Sequence, residues 1–392
     1  MEEIVYKYLQ SAVAKKTSDI HIDPQSTKYV IRFRIDGTLH LEAEGPMSDH
    51  PGLVSSVKVL ANMNIAETRI PQDGHFFKSL NVFDPIKGSA EPVNLDVRVS
   101  SFPSIFGEAI TMRVLNRSVS LFKQFEEMGV LQHDAERLRE AVRKPHGMIL
   151  STGPSGSGKT TMLYSTIGQL QSIEKNIITL EDPVEYQIDN LRQAQVNPAI
   201  GFTFSNGLRA ILRQDPDVIM VGEIRDNETA EVAIRAALTG RLLLATMHTN
   251  DSITAVMRFL EFGIPRSAIA NALKAVIAQR LIRLNCPNCI ASYSPSVKTL
   301  QEAGVKTPVA DNIFKRGVGC DSCYDSGFSG RQGIFEILFV DKNIELLILE
   351  GATYRQLYEA VRATGFKSLH ELAMQLAFEG KTTLEEAFLT TT

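Results

Sequence analysis
Positions 31, 33 and 35 are Ile, Phe and Ile, alternating with Arg32, Arg34 and Asp36. That two-residue period predicts a half-buried strand, and Asp36-Gly37 supplies a hairpin turn after it. Leu95, Val97 and Val99 alternate with Asp96, Arg98 and Ser100 in the same way, and a third strand is predicted over 110–115. Residues 81–92 show no clear period and, with Pro85, Gly88 and Pro92, read as a loop. Residues 1–16 read as an amphipathic helix. The first ~120 residues are therefore expected to be α+β.

From about Phe125 the pattern changes. Short apolar runs at 148–150, 177–180, 218–221 and 242–245 alternate with helical stretches such as 161–170 and 228–238, the latter stopped by Gly240. Unbroken apolar runs between helices predict βαβ units around a buried parallel sheet. After about Leu281 the pattern breaks around the cysteines. The tail from Asn343 (354–363, 368–378 and 383–388) predicts short amphipathic helices.

The chain has 392 residues, with 41 Lys+Arg against 45 Asp+Glu and a net charge of −4. This near balance argues against a protein that holds nucleic acid by its phosphates. With 44% hydrophobic and 22% charged residues, wholesale disorder is excluded. No run approaches the ~18 apolar residues of a membrane span. The acidic start shows no secretory signal, so a disulfide framework is not expected from the four cysteines. A metal or redox role comes forward instead.

The strongest local signal is Gly153-Pro-Ser-Gly-Ser-Gly-Lys-Thr160, which fits G-x-x-x-x-G-K-T between a predicted strand and a predicted helix. Glycines at 153, 156 and 158 let backbone N–H groups face phosphate oxygens, and the helix start adds partial positive charge. Lys159 is expected to reach the β- and γ-phosphates and the Thr160 hydroxyl to bind Mg²⁺, with Thr161 next in the nucleotide-binding stretch. A chance glycine-rich turn does not need that strand–helix setting, so ATP or GTP binding is the reading.

Each predicted strand also ends in a polar group, where open α/β sheets bind ligands. The run 177–180 leads into Glu181-Asp182-Pro183, 218–221 into Gly222-Glu223, and 242–245 into Thr246-Met247-His248. Residues 218–221 resemble a Walker B strand, with Gly222 where many such enzymes carry the Mg²⁺ aspartate. Glu223 is the first candidate to orient or activate the attacking water and Glu181 the second. His248 is placed to sense the γ-phosphate through a water. One such group alone is often only a cap; four strand ends converging in one domain weigh against that. Arg209, Arg213 and Arg225 surround the Walker B segment, and Arg98 and Arg113 lie on polar strand faces. Any of these arginines can instead serve a structural ion pair.

Cys286-Pro-Asn-Cys289 and Cys320-Asp-Ser-Cys323 are two C-x-x-C pairs that use every cysteine in the chain. Two such knuckles complete tetrahedral Cys₄ zinc coordination, and four protein ligands make the site structural. A redox pair or unligated thiols is the alternative.

Seven further segments carry a resemblance across nearly the whole chain. They are Ser18-Asp-Ile-His-Ile22, Arg32-Phe-Arg-Ile-Asp-Gly37, Pro71-Gln-Asp-Gly74, Thr179-Leu-Glu-Asp-Pro-Val-Glu185, Leu208-Arg-Ala-Ile-Leu-Arg-Gln-Asp-Pro-Asp217, Val221-Gly-Glu-Ile-Arg-Asp226 and Thr246-Met-His-Thr-Asn250. Together they resemble the secretion ATPases that power type II secretion and type IV pilus assembly. The resemblance implies a PAS-like domain over 1–120, a RecA-like P-loop ATPase domain over 125–280, a Cys₄ zinc module over 281–335 and a helical C-terminal region over 336–392. It implies that Glu223 is the catalytic glutamate, that Glu181 belongs to an acidic box, and that Arg98 and Arg113 reach the nucleotide. It further implies Mg²⁺-dependent ATP hydrolysis by a hexameric ring. The ring is expected to be cytoplasmic, peripheral at the inner membrane, and to act on a platform protein there. The zinc module is similar to that of assembly rather than retraction ATPases.

Two departures stand out. Arg241 occupies a position where relatives usually carry His, so only His248 of a two-histidine box is retained. Many relatives carry a further N-terminal domain that docks to membrane partners, whereas this chain starts directly at the PAS-like domain. The alternatives to the motor reading are a RecA-like machine acting on nucleic acid and a nucleotide switch without turnover.

Overall fold
The computed structural model describes residues 2–84, 89–117, 122–170, 173–305 and 313–392. The chain divides into two compact units, residues 1–120 and 121–392.

The first unit is built on a six-stranded antiparallel sheet. Its strands are β1 (Asp19–Pro24), β2 (Lys28–Ile35), β3 (Thr38–Pro46), β4 (Gln72–Asp84), β5 (Ser89–Ser104) and β6 (Gly107–Asn116), in the order β3-β2-β1-β6-β5-β4. The predicted turn joins β2 to β3 with Asp36 at φ 48° and Gly37 at φ 88°. Two positive φ values in a row suit the two-residue hairpin that Asp-Gly favours. Helix Glu2–Ala14 buries Val5, Leu9 and Ala12 on one stripe. With helix His50–Leu60 it closes a core containing Ile20, Ile31, Phe33, Leu53, Val97 and Ile110.

The expectation of a loop over 81–92 is corrected. Strands β4 and β5 pair through that stretch, from Asn81 opposite Pro92 to Asp84 opposite Ser89, and residues 85–88 lie outside the described residues. The ribbon runs past the end of β6, which stops at Asn116 opposite Leu95. With no third strand paired there among the described residues, Pro92 costs no ladder bond on its open side. Pro85 and Gly88, part of the same expectation, fall in the undescribed stretch.

The second unit is α/β. Its strands are β7 (Gly147–Thr152), β8 (Ile177–Glu181), β9 (Arg192–Gln195), β10 (Val218–Val221), β11 (Leu242–Met247), β12 (Leu273–Asn285), the short pair β13 (Ile290–Ser292) and β14 (Lys315–Gly317), and β15 (Phe328–Phe339). Seven form one sheet in the order β15-β12-β7-β11-β10-β8-β9. All neighbours are parallel except β15, which runs antiparallel to β12. Every residue of β7, β8, β10 and β11 is buried, which is why these strands read as unbroken apolar runs. The tail helices are present as Tyr354–Arg362, Leu369–Phe378 and Leu384–Thr391.

Three strands of the seven-stranded sheet escaped the sequence pattern: β9, β12 and β15. The edge strand β9 is four residues of mostly polar sequence. Strand β12 follows helix Arg266–Ala272 with no intervening turn and carries Gln279, Arg280 and Arg283 inside an apolar run. It crosses residue 281 unbroken, and β15 crosses residue 336 in the same way. None of the described helices is long and apolar enough to cross a membrane.

Candidate functional site
Strand β7 feeds directly into the glycine-rich loop, which enters helix Lys159–Gly168. Gly153, Gly156 and Gly158 have φ of 147°, 77° and 93°, all in the region that side chains disfavour. Gly153 is further constrained. A Cβ there would lie 2.6 Å from the Gln279 carbonyl oxygen and 2.7 Å from Ser157 Oγ. Lys159 folds back over the loop, donating to the Gly153 and Pro154 carbonyls at 2.8 and 3.0 Å. Burial pushes its ammonium down to about 8, although Glu223 pulls the other way. Thr160 and Thr161 are exposed at the helix start, and Thr160 lines the cavity.

That cavity, of about 210 Å³, opens at the carboxyl ends of the strands. Lys159, Thr160, Glu181, Glu223 and His248 share its wall. Glu223, 8% exposed, pairs through one oxygen with Arg225 and through the other with His248 Nε2 at 3.4 Å. The residues around His248 are pinned. Thr246 Oγ1 donates to the Gly222 carbonyl at 2.5 Å, and the Thr249 N–H donates to Thr152 Oγ1 at 2.8 Å. Anchored on both sides, His248 is left half-exposed to face Glu223. At Gly222 an added Cβ would sit 3.2 Å from the Leu180 carbonyl oxygen, so a side chain there would press on the end of β8.

Glu181 reaches the same cavity but is held differently. It is buried and accepts from Tyr164 Oη at 2.6 Å, Thr179 Oγ1 at 2.6 Å and Gln193 Nε2 at 3.2 Å. Burial and this carboxylate push the Tyr164 hydroxyl far up, which keeps it a donor. With both oxygens engaged by protein donors, Glu181 is less available to a water than Glu223. Asp226, which closes one of the quoted segments, accepts from Thr229 N at 2.8 Å and caps helix Asn227–Leu238.

The other named residues are distributed elsewhere. Arg209 pairs with exposed Glu228 at 2.7 Å, and Arg213 donates to the Arg209 carbonyl. Arg241 precedes β11, one strand length from His248, and donates to the Thr239 carbonyl at 2.7 Å. Arg98 and Arg113 lie in the first unit, directly opposite each other on β5 and β6. Asp19 faces Arg113 at 3.1 Å and Arg34 at 3.8 Å, so three quoted or singled-out segments meet in one cross-strand charge row.

The four cysteines converge. Their sulfurs all lie within 4.8 Å of one another, with contacts of 3.9 Å (Cys286–Cys320), 3.8 Å (Cys289–Cys323) and 3.7 Å (Cys320–Cys323). A zinc tetrahedron with Zn–S of ~2.3 Å has sulfur–sulfur edges of about 3.8 Å, so the spacing fits the ion. No pair is bonded as a disulfide. Burial alone pushes the Cys323 thiol up, but N–H groups of Gly327 and Cys320, each 3.3 Å from its sulfur, outweigh it and hold it at about 7. A sulfur that accepts backbone N–H bonds is prepared to be a thiolate ligand.

Sequence reasoning missed Gln279. It is 1% exposed on β12 and touches the phosphate loop from below. Its partners are distant in sequence, so no local spacing marks it.

Comparison with known proteins gives a consistent picture. Residues 1–389 match the family described as Type II/IV secretion system protein. The type II secretion system protein E of Pseudomonas aeruginosa is 40% identical over 99% of this chain and 75% of its own length. The type IV pilus assembly ATPase PilB of Thermus thermophilus is 39% identical over the whole chain, which spans 43% of that relative. Among solved structures, the pilus retraction motor PilT with bound ADP matches with a TM-score of 0.64 at 25% identity, covering all of this chain and 96% of that one. The Legionella pneumophila ATPase DotB, at 20% identity over 99% of this chain and 95% of its own, has a TM-score of 0.69 and shows the fold. These matches give a nucleic-acid motor no support. The chain belongs to the type II/IV secretion system protein family.

Proposed function
We propose that this chain is a Mg²⁺-dependent ATPase motor that powers type II secretion pseudopilus or type IV pilus assembly. The observation that carries the reading is the convergence of Lys159, Thr160, Glu223 and His248 on one cavity beside a preformed phosphate loop. Loop N–H groups and Lys159 bind the phosphates, and the Thr160 hydroxyl holds Mg²⁺, which offsets phosphate charge. Glu223 orients the attacking water, and His248 reads the γ-phosphate from beside it. Family membership and the relatives' names support coupling of this hydrolysis to secretion or pilus assembly. Phosphate release from Mg-ATP by the purified chain, lost in Lys159→Ala and unchanged by added DNA, is the direct test. DNA-dependent turnover would reverse the reading.

The finer parts of the proposal follow the same family. The first unit is read as a PAS-like domain whose Arg98 and Arg113 reach the nucleotide. Cys286, Cys289, Cys320 and Cys323 hold Zn²⁺ in the distance-matched cluster. The working form is a hexameric ring at the cytoplasmic face of the inner membrane, acting on a platform protein.

Lys159 gives this reading a pH signature. Its ammonium sits at about 8 before phosphate arrives, and a bound triphosphate raises it again. Near that pH a fraction of a proton is therefore taken up on binding, and affinity falls as pH rises through it. Calorimetry in buffers of different ionisation enthalpy reads the uptake; equal heats in all buffers near pH 8 contradict it.

A further inference from the structure
Gln279 lies on β12 directly after Leu273–Ala278, the part that pairs parallel to β7, and opposite Phe335 of β15. Its side chain makes two bonds, both to the segment that holds the phosphate loop. Oε1 accepts from Ser151 Oγ at 2.9 Å, on the strand that leads into the loop. Nε2 donates to the Ser157 carbonyl at 2.8 Å, two residues before Lys159. The two bonds therefore grip the loop at its entrance and its exit. The Gln279 main chain closes the same space, since its carbonyl is the atom that excludes a Cβ at Gly153. A side chain at Gly158 would likewise crowd Gln279 Nε2, at 3.1 Å.

The next residue extends the tie. Arg280 Nη1 donates to the Gln279 carbonyl at 3.1 Å, and its Nη2 donates to the Asn250 carbonyl at 3.0 Å. The middle of β12 thus joins the phosphate loop to the segment that follows His248.

Ser151 and Gln279 are both essentially shielded from solvent. An amide with one acceptor and one donor matches this hydroxyl and this carbonyl together. No apolar side chain of similar size satisfies either, and a carboxylate satisfies only the first.

We propose that Gln279 is a positioning residue of nucleotide binding. It holds residues 153–158 open in the phosphate-accepting shape before nucleotide arrives, so binding does not have to meet the cost of ordering the loop. The inference rests on the ATPase reading above and deepens it. Gln279 touches no reacting atom, and bound phosphates can rebuild the loop without it. Its loss is therefore expected in affinity rather than in the rate of the filled site.

The test compares the full-length wild type with Gln279→Leu and Ser151→Ala, using a fluorescent ADP analogue for affinity and phosphate release for turnover. Gln279→Leu is expected to weaken binding by roughly 10-fold, as for loss of a buried hydrogen-bonded pair, with turnover at saturating ATP within about 3-fold of wild type. Ser151→Ala removes one of the two grips and is expected to weaken binding by roughly 3-fold. Gln279→Glu keeps the acceptor but not the donor, and is expected to fall with Gln279→Leu. Affinity within twofold of wild type in folded Gln279→Leu overturns the proposal. So does a fall in saturated turnover with affinity unchanged. If Gln279→Leu does not fold, Ser151→Ala decides, and unchanged affinity there is equally fatal. A wild type that binds no nucleotide refutes the ATPase reading itself, whereas variants that bind as wild type does refute only the role of Gln279.

Discussion

Replacing Glu223 with Gln is expected to lower ATP turnover by about 10²–10⁴-fold, the range for loss of a positioned general base, while leaving nucleotide affinity within a few-fold. The amide keeps the shape of the carboxylate, so it still fills the space between Arg225 and His248. What it loses is the negative charge that, in the proposed role, accepts a proton from water. Glu223 is the better placed of the two site carboxylates, because Glu181 already accepts from Tyr164, Thr179 and Gln193. Steady-state phosphate release and fluorescent-nucleotide binding on the same preparation separate the two effects. Turnover within threefold of wild type, in protein that binds ATP normally, would sink the assignment.

The second large effect is expected at the cysteines. Metal analysis of carefully reduced protein should find one zinc per chain, and Cys286→Ser should bring it well below one. The same change is expected to lower the thermal midpoint by roughly 10 °C, because a structural ion contributes folding free energy directly and a unit this long loses a few degrees per kcal/mol. Cys286 is buried, and its own N–H donates to the Gly327 carbonyl at 2.9 Å, so a ligand lost there disturbs both knuckles. Chelation of the wild type should reproduce the shift without any substitution. Metal well under one equivalent in reduced wild type, or a midpoint unmoved by its removal, would return the cluster to a set of ordinary thiols.

The parts legible in the sequence share one property: their cause is local. Strands β7, β8, β10 and β11 are covered on both faces, so burial alone wrote their apolar runs. Asp36-Gly37 announced its hairpin because few other pairs tolerate two positive φ values. The four cysteines could be grouped by spacing, since each knuckle is four residues long.

What stayed hidden depends on distant partners. Residues 81–92 looked like a loop because β6 ends opposite Leu95, so that among the described residues β4 and β5 pair there only with each other as strands. Strand β12 carries Gln279, Arg280 and Arg283 mid-run, and only distant partners in the phosphate loop, at Asn250 and at Glu386 explain them. The acidic residue at 181 was visible, but its engagement by Tyr164 and Gln193 was not. Nothing in the order of residues says that Ser157 and Gln279, 122 positions apart, are joined.

Strand β12 is a single extended segment that begins in the nucleotide sheet and ends one residue before Cys286. From Gln279 to Asn285 it covers about 20 Å at ~3.3 Å per residue. Backbone in this form is close to its full reach and cannot lengthen under load. It therefore behaves as a tie-rod. The ladder with β15 runs beside this span, with a register shift between Arg283 and Asn285. The phosphate loop and the cysteine cluster are thus neighbours along one strand, although their residues lie more than a hundred positions apart in the chain.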